Sequence, residues 1–193
     1  MKICTLDIET TDLSAIGAGW VVCAVVKPLG AEAKVFRYDR LGCKLAHENK
    51  LIECIFKAIA PFNLVVGHNI ERFDWLYLKS RAIVLGVPLP KPPVCYDTMF
   101  AARRVGIKTT INSFTGKSTV ALDHVIDFFG IDQFKTKIYP RKHWDTVWKK
   151  DAKEGRRAMK DLVTHCVDDV AMTEAIYWRL LEHDPRPKLT RVS

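Results

Sequence analysis

Apolar residues recur along the chain with two different spacings, and the change between them marks where strands give way to helices. The first three apolar runs, 2–9, 20–27 and 33–38, are short and are joined by polar links, which predicts three strands in an antiparallel meander. From Asn49 to Ile59 the apolar positions follow helical spacing instead. The chain therefore begins as strands and continues with a helix.

The later elements alternate between short buried strands and helices. We predict a strand at 64–68, a helix at 71–85, a strand in VCYDTM (94–99), and helices at 121–129 and 156–182. Asp97 is placed to cap a helix that begins near Thr98. Residues 106–118 are predicted to form a polar loop, and 132–143 are basic and irregular. Since strands separated by helical crossovers pair in parallel, we predict an α/β fold. Its mixed central sheet has three antiparallel strands followed by parallel strands, flanked by helices.

The length of 193 residues suits one domain, which we place at 1–184, followed by a basic C-terminal tail at 185–193. No apolar run approaches the roughly 20 residues that a membrane span requires. The N-terminus turns acidic at Asp7, so a signal peptide is not expected. The six cysteines form no CxxC pair, which argues against a zinc site and for reduced, buried thiols in a cytoplasmic protein.

The formal net charge of +8 is compatible with a polyanionic partner such as nucleic acid, although it would also serve solubility alone. The carboxylates in apolar contexts are more informative. On a strand, Asp7 and Glu9 face the same side, where two acids repel each other unless a bound cation neutralises them. Two solvated acids on an exposed edge strand would give the same pattern.

Asp74 lies among Phe73, Trp75 and Leu76, one turn into a helix that we predict to start at Asn69. An acid in this environment is either a capping or ion-paired residue or a metal ligand.

The last long helix contains the sequence THCVDDV (164–170). On a helical wheel, Asp169 lies roughly 80° from the centre of the apolar stripe, whereas Asp168 lies roughly 180° away, in solvent. His165 precedes Asp169 by four residues, so the two share one flank of the helix. A surface histidine bonded to a surface acid is the alternative interpretation.

Four acids from a strand and two helices could converge at one end of the sheet. Two divalent cations about 4 Å apart, held by such carboxylates, support phosphodiester hydrolysis, and carboxylate oxygens favour Mg²⁺ or Mn²⁺. The chain at this point resembles the DEDD (DnaQ-like) 3′-5′ exonucleases of the ribonuclease H-like fold. The resemblance rests on DIETT from Asp7, NIERFD from Asn69 and HCVDDVAMT from His165.

The resemblance implies roles by position. Asp7, Glu9 and Asp169 would hold the cation that carries the attacking water, and Asp7 would also bridge to a second cation that Asp74 holds through water. His165 would orient or deprotonate the nucleophilic water, a task that suits an imidazole at neutral pH. Thr10, Leu13 and Asn69 would contact the substrate, Leu13 at the 3′-terminal base.

The sequence departs from this family at two places. The third motif has histidine, but its spacing, His165-x3-Asp169, is that of the subfamily with tyrosine; at the His-x4 position stands Val170, which cannot bind a metal. Asp12 stands where the family often has glycine.

The stretch KTKIYPRKHW (135–144) combines basic and aromatic residues, and Lys137 and Arg141 are candidate phosphate contacts. A packed Tyr and Trp with solvated charges is the alternative. Arg103, Arg104 and Lys108 form a second basic patch. TGKST resembles the end of a phosphate-binding loop, but Ile111 replaces the required glycine, so no nucleotide cofactor is expected.

These observations predict a 3′-5′ exonuclease that uses two divalent cations, Mg²⁺ or Mn²⁺. It would remove nucleoside 5′-monophosphates from nucleic acid, with single-stranded DNA favoured over RNA. A structure-specific endonuclease of the same fold and a non-catalytic nucleic-acid-binding module are the alternatives.

Overall fold

The structure is a computed structural model that describes residues 1–17, 19–41, 47–107, 110–111, 118–131, 147, 153–184 and 187–192. The strands in this part of the chain are β1 (Ile3–Thr10), β2 (Val21–Pro28), β3 (Lys34–Arg37), β4 (Leu64–Gly67), β5 (Val94–Asp97), β6 (Thr110–Ile111), β7 (Ser118–Thr119) and β8 (Thr190–Arg191). The α-helices are α1 (Glu48–Ile59), α2 (Asp74–Val84), α3 (Thr98–Arg104), α4 (Leu122–Phe128) and α5 (Lys153–His183). A 3₁₀ turn follows β3 at Tyr38–Leu41.

Six strands form one mixed sheet in the order β3-β2-β1-β4-β5-β8, which confirms the predicted fold class. β1, β2 and β3 pair antiparallel, whereas β4 and β5 run parallel to β1. Because these three strands are parallel, their carboxyl ends meet at one edge of the sheet, which we call the carboxyl edge. β1 is an interior strand, so its two acids are not on the exposed edge strand that the sequence left as an alternative.

Successive side chains on a strand point to opposite faces, so the two faces of the sheet pack against different sets of residues. On one face, Leu6 and Ile8 of β1 belong to a core cluster that includes the apolar stripe of α1 and part of α2. On the other face, α5 crosses the sheet. Its Cys166 and Val170 pack with Cys23 and Val25 of β2, in a cluster of buried residues.

The second half of α5 continues over the same face toward β5. The ring of Tyr177 contacts that of Tyr96 on β5 edge-on, with 5.0 Å between centroids. None of the helices among the described residues is long and apolar enough to cross a membrane.

Several boundaries differ from those predicted. The helix expected to start near Asn69 begins at Asp74, because Asn69 adopts a left-handed φ of 67° that interrupts helical geometry. Within the predicted loop, Thr110–Ile111 pairs with Ser118–Thr119. Within the predicted basic tail, Thr190–Arg191 adds an antiparallel edge strand beside β5. The basic stretch 132–143 lies outside the described residues.

The cysteines whose structure is described are all free thiols, as expected. Cys4, Cys23, Cys95 and Cys166 are buried. Cys54 is exposed, and the prediction that it is buried was wrong. It lies on α1 between the buried positions Ile52 and Ile55 and therefore points off the apolar stripe of that helix.

Candidate metal-binding active site

The strand β1 presents two acids to the helix α5. Asp7 lies opposite Val25 of β2, and Glu9 lies opposite Cys23, so both acids share the face that α5 covers. The thiol of Cys166 on α5 donates to the carbonyl oxygen of Asp7, at 3.4 Å between sulfur and oxygen. The register shifts just after Glu9, a local irregularity of the kind that often accompanies active sites.

The helix α5 brings a histidine and a third acid to the same place. Nδ1 of His165 lies 3.4 Å from Oδ1 of Asp169, and its Nε2 lies 3.9 Å from Oε1 of Glu9. Potential ligand atoms of these three residues all lie within 4.8 Å of one another. His165 therefore stands between carboxylates from two elements, which its helical spacing to Asp169 could not reveal.

Asp74 joins this group from α2. It is the first residue of that helix, and its position one turn inside a helix was predicted wrongly because the preceding turn is not helical. β4 pairs with β1 only as far as Thr5, so the later backbone N–H groups on that side of β1 need another acceptor. Oδ1 of Asp74 accepts the N–H of Ile8 at 3.2 Å, with Asp74 only 3% exposed.

The turn before Asp74 is held by Asp97, a residue that we predicted only as a helix cap. Asp97 does cap α3, accepting from the N–H of Met99 at 2.9 Å. Its two carboxylate oxygens also accept the N–H groups of Asn69 and Glu71, each at 3.1 Å. One side chain thus joins the end of β5 to the turn that carries Asp74, a connection between residues too far apart for sequence spacing to show.

Burial raises the pKa of all four acids. The pKa of Asp7 lies well above its usual range, because burial removes solvating water and the charges of Asp169, Asp74 and Glu9 add repulsion. Burial likewise raises the pKa of Glu9 to about 8, that of Asp74 to about 7 and that of Asp169 to about 6. The nearby His165 partly offsets the shift at Asp169.

These residues fit a divalent cation. Oδ2 of Asp7 and Oδ1 of Asp169 are buried and accept no hydrogen bond from the described residues. Within that same part of the chain, no Lys or Arg forms a salt bridge with any of the four acids. A buried group of carboxylates without cationic partners is costly unless protons or metal ions neutralise it. Carboxylate oxygens are the ligands that Mg²⁺ and Mn²⁺ prefer.

Asp168 is the neighbour that the helical wheel placed in solvent. In the structure it is half-buried, and burial raises its pKa, whereas the nearby His165 lowers it. Full exposure was therefore predicted wrongly, because the wheel describes one isolated helix and omits what packs beside it. Asp168 is not among the residues whose ligand atoms lie together with those of Glu9, His165 and Asp169.

The predicted substrate contacts occupy different environments. Leu13 is 73% exposed on the loop after β1, whereas Thr10 is buried and its hydroxyl donates to the carbonyl of Asp12 at 2.9 Å. Asn69 is half-buried in the turn before Asp74. Oδ1 of the exposed Asp12 accepts the N–H of Ser14 at 3.1 Å, so this departure from the family pattern shapes the loop. Lys137 and Arg141 lie outside the described residues.

The loop that carries Leu13 is anchored by a buried ion pair that we did not predict from the sequence. Arg81 and Glu48 form a 2.5 Å salt bridge, with side chains 4% and 0% exposed. Arg81 also donates to the carbonyl of Ala15 at 3.1 Å, and Glu48 accepts the N–H of Val21 at 2.8 Å. The pair therefore fixes the loop at two points. The available signal was an arginine within the apolar stripe of α2.

The sheet order and the acid cluster on its central strand define an α/β domain of ribonuclease H-like fold. The sequence matches the RNase_H superfamily over residues 4–181, and the chain belongs to this superfamily. This membership supports a nuclease-type function. A search of curated proteins gave no match.

The fold is also similar to a solved structure, that of the family B DNA polymerase from the hyperthermophilic archaeon Pyrobaculum calidifontis. The TM-score is 0.67 at 21% sequence identity, over 94% of this chain and 24% of the polymerase chain. The chain thus spans about a quarter of the polymerase, and the likeness is one of fold.

Proposed function

We propose that the protein is a metal-dependent 3′-5′ exonuclease. It hydrolyses the terminal phosphodiester bond at the 3′ end of nucleic acid, single-stranded DNA being the favoured substrate and RNA the second candidate, and it releases nucleoside 5′-monophosphates. The observation that carries the proposal is the meeting of Glu9, His165 and Asp169, whose potential ligand atoms lie within 4.8 Å of one another. Asp7 and Asp74 are their neighbours, since Asp7 is repelled by Asp169, Asp74 and Glu9, and Asp74 accepts the N–H of Ile8. Membership of the RNase_H superfamily supports it.

In this proposal the acids would hold two cations, Mg²⁺ or Mn²⁺. Asp7, Glu9 and Asp169 would bind one of them, and Asp7, with Asp74 acting through water, would bind the other. When bound, the cations neutralise the carboxylates and stabilise negative charge on the phosphate. His165 accepts a proton from the attacking water, and the carboxylate of Asp169, 3.4 Å from Nδ1, orients its imidazole.

A panel of labelled substrates tests the proposal. Single- and double-stranded DNA and RNA, each labelled at the 3′ or the 5′ end, are incubated with Mg²⁺ or Mn²⁺. We expect mononucleotides from the 3′ label at once, a ladder of shortened products from the 5′ label, and no reaction in EDTA. Circular single-stranded DNA should stay intact. Cleavage of the circle would establish an endonuclease instead, and binding without cleavage would establish a non-catalytic module.

Replacing His165 with Tyr is expected to retain measurable activity and to change its dependence on pH. The third motif has the spacing of the subfamily that carries tyrosine at this position, but a phenol titrates about three to four pH units above an imidazole. Rates between pH 5.5 and 9.5 would show a displaced acidic limb. Unchanged rates and an unchanged pH profile would make His165 a bystander.

The metal-free protein is expected to lose stability as the pH rises from about 4 to about 8. Over this range the folded protein binds more protons than the unfolded chain, because burial raises the pKa of Glu9 to about 8, of Asp74 to about 7 and of Asp169 to about 6. Divalent cations bind the deprotonated acids, so their stabilising effect should grow over the same range.

Thermal unfolding in EDTA and in Mn²⁺ measures this linkage. The difference in Tm between the two conditions should be small at pH 5 and large at pH 8. An equal difference at both pH values would contradict the assignment of these acids as the cation site.

A further inference from the structure

Besides the acid cluster, the carboxyl edge has a surface rich in cationic side chains, which has no role in the proposed chemistry. It is a groove with a volume of about 400 Å³. Its lining residues come from three segments of the chain: Glu71 and Arg72, Phe100 and Arg104, and Lys188 and Thr190. In the sequence, Arg104 belongs to the second basic patch, with Arg103 and Lys108.

The sheet topology places this groove near the acid cluster. Arg72 belongs to the turn that precedes Asp74, and Phe100 lies in the first turn of α3, just after the carboxyl end of β5. β8 runs antiparallel to β5 with Thr190 opposite Cys95, so Lys188 enters from the carboxyl edge. In the sheet order, β5 lies two strands from β1, which corresponds to roughly 10 Å. A strand of a few nucleotides could therefore occupy both places.

Two of the three cationic side chains in the lining contact neighbours that leave the guanidinium group charged. The guanidinium of Arg72 lies over the ring of Phe100, 4.9 Å from its centroid. Arg104 is one turn from Phe100 on α3 and pairs with Asp184, which is 7% exposed. One carboxylate occupies only part of the five N–H donors of a guanidinium, so Arg104 keeps donors for a second anion.

The charge of the lining residues favours a phosphate chain. The lining contains three cationic side chains and one acid, Glu71, while Asp184 pairs with Arg104 from outside the lining. The aromatic ring among them is already covered by Arg72. Guanidinium and ammonium groups bind phosphate oxygens without reading the base. We infer that this groove, which we call the basic groove, binds the phosphodiester backbone of the substrate strand away from the bond that is cut. The inference rests on the proposed function, because it assigns a second binding site to the same substrate.

The test separates binding in the groove from chemistry at the acids. Binding of a short single-stranded oligonucleotide is measured by fluorescence anisotropy. The Asp7→Asn protein is the background, so that the probe stays intact. The test variant carries Arg72→Gln and Lys188→Gln together in this background. We expect binding to weaken about ten-fold and the slope of log K against log salt to become shallower by about one to two, because two phosphate contacts are removed. Lys57→Gln, an exposed lysine on α1, is the matched control and should change neither value.

Activity on a substrate too small to reach the groove supplies the second measurement. With Asp7 intact, the double variant should hydrolyse the p-nitrophenyl ester of thymidine 5′-monophosphate at the parent rate, while KM for the oligonucleotide rises. A lower rate on the ester would mean that these residues support the acid cluster, and it would overturn the inference. If the parent protein cleaves neither substrate, the proposed exonuclease function is contradicted. The anisotropy measurement still tests the basic groove, because it does not depend on cleavage.

A substitution of opposite sign completes the design. Glu71→Gln removes the one acid of the lining, while the Glu71 backbone N–H that donates to Asp97 is retained. This variant should bind the oligonucleotide several-fold more tightly. Unchanged affinity in both Glu71→Gln and the double variant, or an equal loss in Lys57→Gln, would overturn the inference.

Discussion

Replacing Asp7 with Asn is expected to reduce nuclease activity at least about a thousand-fold, while the folded protein without metal becomes more stable. The substitution keeps the shape of the side chain but removes the charge at the centre of the acid cluster. In the proposed mechanism Asp7 serves both cations, so its loss should cost several kcal/mol of transition-state stabilisation, and each 1.4 kcal/mol is worth about ten-fold in rate.

The gain in stability has a separate cause. Burial and the charges of Asp169, Asp74 and Glu9 raise the pKa of Asp7 well above its usual range. At neutral pH the metal-free protein must either bind a proton there or keep a buried charge, whereas the unfolded chain does neither. The neutral amide avoids this, and we expect about 1 to 3 kcal/mol of added stability near pH 8.

Urea unfolding in EDTA measures the stability, and hydrolysis of a labelled oligonucleotide in Mg²⁺ measures the activity. Oligonucleotide binding should be retained, which shows that the loss lies in chemistry. Undiminished digestion by the purified variant would refute the proposed mechanism. A large loss of stability in EDTA would show instead that Asp7 is a structural acid.

The second large effect is expected from the adjacent aspartates on α5. Asp169→Asn should abolish activity, because this carboxylate lies 3.4 Å from His165 and belongs to the group of potential ligands. Asp168→Asn should change the rate less than about two-fold, since its carboxylate is outside that group. The two variants carry the same chemical change one residue apart, so each controls for the effect of the other on helix stability.

Rates at saturating Mg²⁺, together with Mn²⁺ affinity from calorimetry, distinguish the two positions. Asp169→Asn should weaken metal binding, and Asp168→Asn should leave it unchanged. Similar losses in both variants would mean that the half-buried Asp168 contributes to the site after all.

The loop that carries Leu13 is held in place by residues outside it. The buried Arg81–Glu48 pair holds this loop at Ala15 and Val21, although Leu13 itself is exposed. A buried ion pair is a costly anchor in energetic terms, but it defines one geometry. Leu13 is thereby kept in place on the surface.

The periodicity of the chain was sufficient to predict the order of its main elements. Alternating and continuous apolar runs predicted β1, β2 and β3, and helical stripes predicted α1 and α5, because each pattern depends only on which face of one element is buried. The same local rule identified Asp7, Glu9 and Asp169 as acids beside apolar surfaces. The boundary of α2 was wrong because it depends on the backbone of Asn69, whose left-handed φ is stabilised by contacts outside the segment.

What the periodicity could not supply is the set of contacts between distant residues. The position of His165 between Glu9 and Asp169, the link from Asp97 to the turn before Asp74, and the basic groove from three segments all arise when β1, β4 and β5 align their carboxyl ends. By itself the sequence determined the elements and the candidate acids. The tertiary structure decided which of them meet, because long-range pairing depends on the packing of whole elements and leaves no local pattern in the chain.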